Sequence, residues 1–198
     1  MGALLAIVAV PLLIVRAVSS TSVWAIVAVS IYGFCLLAMF LTSTLHHGID
    51  KPGRVNKVLK IMDYNAIFLL IAGTASAMLL MHYRSLIGWS VFGSLWLIAG
   101  IGIGLVSAIH HLPKHITNTF FIVMGWVPVV VLVLLGVHIG AWSCVLLAVG
   151  GLIYSSGFLV YSRERPNWVP GFFGFHELWH CLVLAAALCH VAAIYVMI

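Results

Sequence analysis

Residues 86–109 read LIGWSVFGSLWLIAGIGIGLVSAI, twenty-four consecutive residues without a charge. A helix needs about 20 such residues to cross a hydrocarbon core about 30 Å thick, so this stretch reads as a transmembrane helix. The rest of the chain agrees with it. Of 198 residues, 64% are hydrophobic and 7% charged, and mean hydropathy is +1.23. A soluble domain is about 45–50% apolar and about 25% charged. No fold of this length hides so much apolar surface from water. A soluble enzyme, a disordered chain and a secreted disulfide scaffold are thereby excluded.

Six further stretches are apolar over a comparable length: residues 2–18, 23–45, 61–81, 117–137, 141–160 and 172–198. The first is short. It lacks the basic residues that precede the apolar run of a signal peptide, and Arg16 follows the run instead, so it reads as a helix rather than a cleaved leader. The expectation is an all-α, integral membrane bundle of seven helices, one domain over 1–198, with no room for a soluble domain. Lys51, Arg54, Lys57, Lys60, Lys114, Arg163 and Arg165 fall on one side of these spans, and only Arg16 and Arg84 on the other. The positive-inside rule then places the N-terminus in the cytoplasm and the C-terminus outside. The formal charge of +5 is spread between apolar runs and reads as a topology signal, with no nucleic-acid partner expected. The expected surroundings are membrane lipid, in the cell membrane (the inner membrane if the source is bacterial), and the oligomeric state is left open.

Several residues within the spans read as structural. Cys35, Cys144, Cys181 and Cys189 all lie in apolar runs, without a CxxC pair, and read as small buried side chains. Gly100 and Gly104 form a GxxxG pattern, whose usual meaning is close helix packing. Pro128 is expected to kink the fifth span.

Ten histidines against four acidic residues is the unusual balance. Ionisable groups in the membrane are costly and mark function by default. Those that lie in or against the spans are His47, Asp63, His176, Glu177, His180 and His190. The topology brings His47, Asp63, His176 and His180 to one depth near the cytoplasmic face. His176 and His180 are four residues apart, about 40° of rotation and about 6 Å of rise on a helix, so both imidazoles reach one metal ion. His47 would complete three protein ligands for Zn2+, leaving the fourth position for water that Asp63 orients or deprotonates. His190 lies ten residues beyond His180, about 15 Å along the helix, and reads as a helix-packing residue. His46, His110, His111, His115, His82 and His138 fall at helix ends or loops, where a hydrated histidine needs no special account. Residues 176–180 also spell HExxH, the zinc-protease signature with glutamate as base. The chain offers no spare loop or sheet edge to hold an extended peptide.

Ser43-Thr44-Leu45-His46-His47 resembles the S-T-L-Y-H stretch of bacterial hemolysin III proteins. Met62-Asp63-Tyr64 followed by residues 67–74, IFLLIAGT, is similar to their second conserved segment, Met124-Gly125-Trp126 fits the fifth span, and residues 173–190, FGFHELWHCLVLAAALCH, resemble their last helix. That family is the bacterial branch of the progestin and adipoQ receptor family, related to the adiponectin receptors. The resemblance covers nearly the whole chain and implies seven helices, a cytoplasmic N-terminus and a zinc ion near the cytoplasmic face. It implies His47, His176 and His180 as ligands, Asp63 holding the water and Ser43 supporting it one turn deeper. It also implies a ceramidase-like hydrolase of a lipid amide or ester, or a membrane-homeostasis factor. The chain departs from the pattern in three places, one being Ala75 and Ser76-Ala77, where the family has Tyr and Pro after I-A-G-T. Its first residues already lie in the first helix, where the family has a preceding polar segment, so that the native start is expected upstream or the segment is missing. His46 stands where the family has tyrosine, and the Ser-x-x-x-His spacing from Ser43 selects His47 as the ligand. Competing readings are a receptor-like protein with structural zinc, a haemolytic pore, and an HExxH membrane protease. A pore needs a polar stripe through the bundle, and the outer halves of these spans carry little beyond His190 and scattered Ser and Thr.

Overall fold

The computed structural model describes residues 2–49, 53–109, 113–134, 139–169 and 173–198. Among them the chain is all-helical: α1 (Gly2–Ser19), α2 (Val23–Gly48), α3 (Arg54–His82), α4 (Leu86–Ala108), α5 (Lys114–Leu134), α6 (Ala141–Arg163) and α7 (Phe175–Met197). Six of these are long and apolar enough to cross a membrane, and α5 contributes a shorter apolar stretch, Ile116–Val130. The expected span ends at 137 and 172 lie outside the described residues, as do His110, His111 and His138 and the side chain of His115. Serines open two of the helices. The Ser22 hydroxyl accepts the Ala25 N–H at 3.3 Å, and the Ser85 hydroxyl accepts the Gly88 N–H at 3.1 Å, each satisfying a donor that the first helical turn leaves bare.

The sequence places the start of the third span at 61, whereas α3 begins at Arg54. Lysine and arginine end a hydropathy window but are good helix formers. The basic residues Arg54, Lys57 and Lys60 therefore ride on the helix itself, and Asp63 lies in its third turn.

The described chain forms two compact units, Met1–His138 and Ile139–Met197. In the first, α3 packs against α2, α4 and α5, α1 packs on α2, and α4 packs on α5. The reason α3 takes the middle is the run 72–80, in which every residue is buried. Its first six residues, Ala72-Gly73-Thr74-Ala75-Ser76-Ala77, are all small. A methyl group at Gly73 would meet Cys35 Cβ and Sγ at 2.8 Å and Tyr32 Cα at 3.6 Å, so α2 and α3 touch almost backbone to backbone. The two hydroxyls buried in this run are bonded within their own helix, Thr74 to the Leu70 carbonyl and Ser76 to the Ala72 carbonyl, both at 2.7 Å. Trp96 Nε1 of α4 donates to Ser76 Oγ at 3.0 Å. Phe68 is fully buried, lies against Gly102 of α4 and stacks obliquely on Phe121 of α5, ring centroids 4.6 Å apart.

Two sequence expectations are corrected here. Gly102 is the glycine that admits a neighbouring side chain, while Gly100 and Gly104 face open space with nothing within 4 Å of a Cβ. Two residues on a helix are about 200° apart, so the GxxxG pair and Gly102 look in opposite directions. Among the cysteines only Cys35 is buried. Cys144 and Cys181 are exposed and Cys189 is half-buried, because a membrane helix is apolar on its outward face as well as its inward one.

The second unit is the α6–α7 pair. Gly150 of α6 leaves the space that the His190 ring fills. That ring also meets Tyr154 edge to face at 5.4 Å, and its Nε2 is enclosed without a hydrogen-bond partner, so it packs between the two helices. Ser143 Oγ donates to the Ala193 carbonyl at 3.4 Å. Gly157 lies under the Trp179 ring and Leu182, which fixes how α7 is turned against α6.

The ends of the first unit differ in chemistry. At the α3–α4 turn, Arg84 Nη1 donates to the Leu80 and Met81 carbonyls at 2.6 and 3.0 Å, closing the end of α3. The same guanidinium lies 5.3 Å from the Trp24 ring centroid, and Trp24 meets Trp89 edge to face at 5.8 Å. This is the tryptophan-and-cation chemistry of a membrane–water interface. The opposite end carries His46 and His47. Gly73→Ala should force α2 off α3 and cost about 1–3 kcal/mol, seen as a lowered melting temperature in detergent. Gly100→Ala, facing open space, should leave the melting temperature unchanged.

Candidate metal centre

The α2–α3 connection is five residues long, from 49 to 53, and a connection this short returns the chain antiparallel. The last turns of α2 therefore lie beside the first turns of α3. Ser43 is buried on α2, one turn before His47. His46 and His47 occupy the final turn, with ring centroids 4.8 Å apart and planes tilted 49°. One imidazole nitrogen of each and one carboxylate oxygen of Asp63 lie within 4.8 Å of one another. His46 is not the hydrated helix-end residue the sequence suggests. It is half-buried, and its Nδ1 is enclosed with no hydrogen-bond partner. His82, also expected to be wet, has an enclosed Nε2 without a partner. Two residues beyond Asp63, Asn65 Nδ2 donates to Ser107 Oγ at 3.0 Å and ties this end of α3 to α4.

The second unit brings His176 and His180 together on α7. Their rings stand nearly perpendicular, at 83°, with centroids 4.6 Å apart, and the two Nε2 atoms are 3.3 Å apart. Two nitrogens bound tetrahedrally at about 2.0–2.1 Å from a zinc ion are separated by about 3.3–3.4 Å, so the pair fits a metal with no rearrangement. Trp179, wedged over Gly157 with its ring 5.4 Å from that of Tyr161, sets the rotation of the helix that carries both histidines.

Glu177, the middle of HExxH, is turned the other way. It is exposed, and its Oε2 accepts the Gly174 N–H at 2.8 Å. With Gly174 as the residue preceding the helix, Glu177 is its third helical residue, the position from which a carboxylate reaches back to cap. The carboxylate also lies at the positive end of the helix dipole. Gly174 has no side chain to return the bond, and Asn167 supplies it. Asn167 Oδ1 accepts the Phe175 N–H at 3.2 Å while its Nδ2 donates to the Glu164 carbonyl at 3.3 Å. A Cβ on Gly174 would strike Asn167 Oδ1 at 2.6 Å, so the glycine is what lets Asn167 approach. Val169 and Phe173 exchange backbone hydrogen bonds at 3.0 and 2.9 Å, and Trp168 stacks parallel on Phe173 at 6.0 Å. Asn167 and Gly174 escaped the sequence reading. The pattern Gly174-x-x-Glu177 at the mouth of an apolar helix was the available signal, masked by its overlap with HExxH.

A multi-pass helical membrane protein with clustered imidazole and carboxylate donors at its helix ends is the class these features define. A model of the family described as "Haemolysin-III related" matches residues 1–191. The chain is 34% identical over 188 residues to "Hemolysin-3" of Bacillus cereus, covering 94% of this chain and 82% of that protein. It is 33% identical over 188 residues to "Hemolysin-3 homolog" of Bacillus subtilis (strain 168), covering 94% and 84%. It is 28% identical over 181 residues to "Monocyte to macrophage differentiation factor" of Homo sapiens, covering 89% and 72%. No solved structure gives a significant match. The chain belongs to the hemolysin III family, as the resemblance of its four motifs implied.

Glu177→Ala should loosen the first turn of α7 by removing the acceptor of the Gly174 N–H. Hydrogen exchange over residues 174–180 should speed up accordingly. Glu177→Gln keeps an acceptor oxygen and should protect those amides nearly as well as the native residue.

Proposed function

We propose that this protein is a zinc-dependent hydrolase of a lipid amide or ester, with His47, His176 and His180 holding Zn2+ and Asp63 and Ser43 serving the attacking water. The observation that carries the reading is the 3.3 Å separation of the His176 and His180 Nε2 atoms, the spacing of two ligands on one tetrahedral ion. The donor sets of the two units support it: imidazoles and a carboxylate are the usual ligands and neighbours of catalytic zinc. Bound there, the ion would act as a Lewis acid on the acyl carbonyl and make water acidic enough to attack near neutral pH.

The rest of the chemistry falls to the chain. Asp63 takes the proton of the attacking water and returns it to the leaving amine or alcohol. The Ser43 hydroxyl, buried one turn before His47, orients that water. Membrane-spanning helices present acyl-chain surface, which suits a substrate delivered from the bilayer. Glu177 is spent on the helix cap and takes no part, which disfavours the protease reading. The proposed frame is a single seven-helix domain with the N-terminus in the cytoplasm and the site at the inner leaflet.

The name of the Bacillus cereus relative favours a second reading, cytolysis. A pore through the first unit would need a polar lining. The buried run 72–80 of α3 offers only Thr74 and Ser76, and both hydroxyls are already bonded to their own helix.

Metal analysis of the purified chain is expected to show zinc that His180→Ala loses. Asp63→Asn should keep the zinc and lose hydrolysis of a ceramide-type amide by roughly 100-fold or more, with Glu177→Gln mild. Retained activity in Asp63→Asn together with its loss in Glu177→Gln would reverse the assignment in favour of protease-like chemistry. A C-terminal alkaline phosphatase fusion should be active. An active cytoplasmic reporter at that end instead would overturn the proposed depth of the site.

A further inference from the structure

His46 has no task in the proposed hydrolase, yet its surroundings are those of a ligand. Neighbouring residues on a helix point about 100° apart and do not normally face one another. His46 and His47 nonetheless bring their rings to 4.8 Å, on the side of α2 where Asp63 stands. The Nδ1 of His46 is enclosed without a hydrogen-bond partner, an arrangement a folded chain avoids unless something else satisfies the atom. Both histidines sit in the last turn of α2, where unpaired carbonyls and the negative end of the helix dipole favour a cation.

We propose that the α2–α3 end of the first unit is a divalent-cation site in its own right, with His46, His47 and Asp63 as its three donors. Two imidazoles and one carboxylate form a set for a transition ion of borderline softness such as Zn2+ or Co2+, rather than for Mg2+ or Ca2+. All three donors come from one helical hairpin, so the site needs nothing from α7. It goes beyond the proposed hydrolase and rests on that reading only in sharing His47 and Asp63, the second as a direct ligand rather than as the holder of the water. Because an imidazole nitrogen serves one ion, the chain holds its cation through one donor set or the other, and His46 is the residue that makes the second set complete.

The test is a Co2+ titration of the full chain in detergent, followed by ligand-field absorption and by metal content after gel filtration. His176→Ala/His180→Ala removes the α7 pair. The site predicts that this variant still binds one Co2+ per chain, weakened by roughly 100-fold or more, and that adding His46→Gln weakens it by a further ~10–100-fold. Circular dichroism and elution volume verify folding. Should the double variant not be recovered folded, His180→Gln alone provides the same comparison with and without His46→Gln. No Co2+ binding by a folded α7 variant, or binding that ignores His46→Gln, overturns the proposal. The first of these results leaves the three-histidine hydrolase standing. Equal affinity in wild type and the α7 variant, sensitive to His46, would sink the hydrolase reading and keep this one.

Discussion

The close approach of α2 to α3 at Gly73 is the contact on which the rest depends. Between membrane helices there is no hydrophobic drive, since lipid tails are as apolar as leucine, so association relies on tight packing and hydrogen bonds. Gly73 lets the Cys35 side chain and the Tyr32 backbone come up to the surface of α3. The small residues after it extend the seam, and the serine and threonine hydroxyls within it are satisfied inside their own helix, so they add no desolvation penalty. This seam fixes the register of the hairpin. One residue of slip would move α2 by about 1.5 Å and turn it by about 100°. That is enough to take the last-turn histidines away from Asp63. A packing feature in mid-membrane thus governs the chemistry at the membrane edge.

Hydropathy made the helices legible, because the bilayer imposes one length on all of them. It said little about their faces. In a soluble protein, an apolar residue on a helix usually points inward. In a membrane chain it points anywhere, and this is why Cys144 and Cys181 turned out exposed and why Gly102, not the Gly100–Gly104 pair, meets a neighbour. The start of α3 was misplaced for a related reason: a charge ends an apolar window without ending a helix. The candidate donors His47, Asp63, His176 and His180 stood out because ionisable groups in a membrane span are rare. His46 did not, since a helix-end histidine looks hydrated until its Nδ1 is found enclosed.

The five letters HExxH show how one short pattern can carry two unrelated devices. The histidines are spaced for one helical face, and the glutamate between them is spaced for the residue that precedes the helix. A first-turn carboxylate that already holds a backbone N–H at 2.8 Å is oriented along the helix toward its start. A base must instead be oriented across it, toward a water held by the histidine face. The protease pattern is satisfied in sequence and contradicted in direction. What the glutamate does for the site is indirect. Together with Asn167 and Trp179 it fixes where α7 begins and how it is rotated, and so where the histidine pair looks.

Two sets of histidines in the α6–α7 unit show why burial alone does not identify a ligand. His190 is fitted sterically by its neighbours, a glycine opposite that makes room and a tyrosine edge, although its Nε2 is enclosed without a partner. His176 and His180 instead meet each other, their Nε2 atoms 3.3 Å apart, close enough for one ring to donate its N–H to the other. The same spacing suits two ligands of one ion. A spacing that serves a shared proton and a shared ion alike therefore says more about this pair than the count of histidines does, and the spacing of the two residues in the sequence does not supply it.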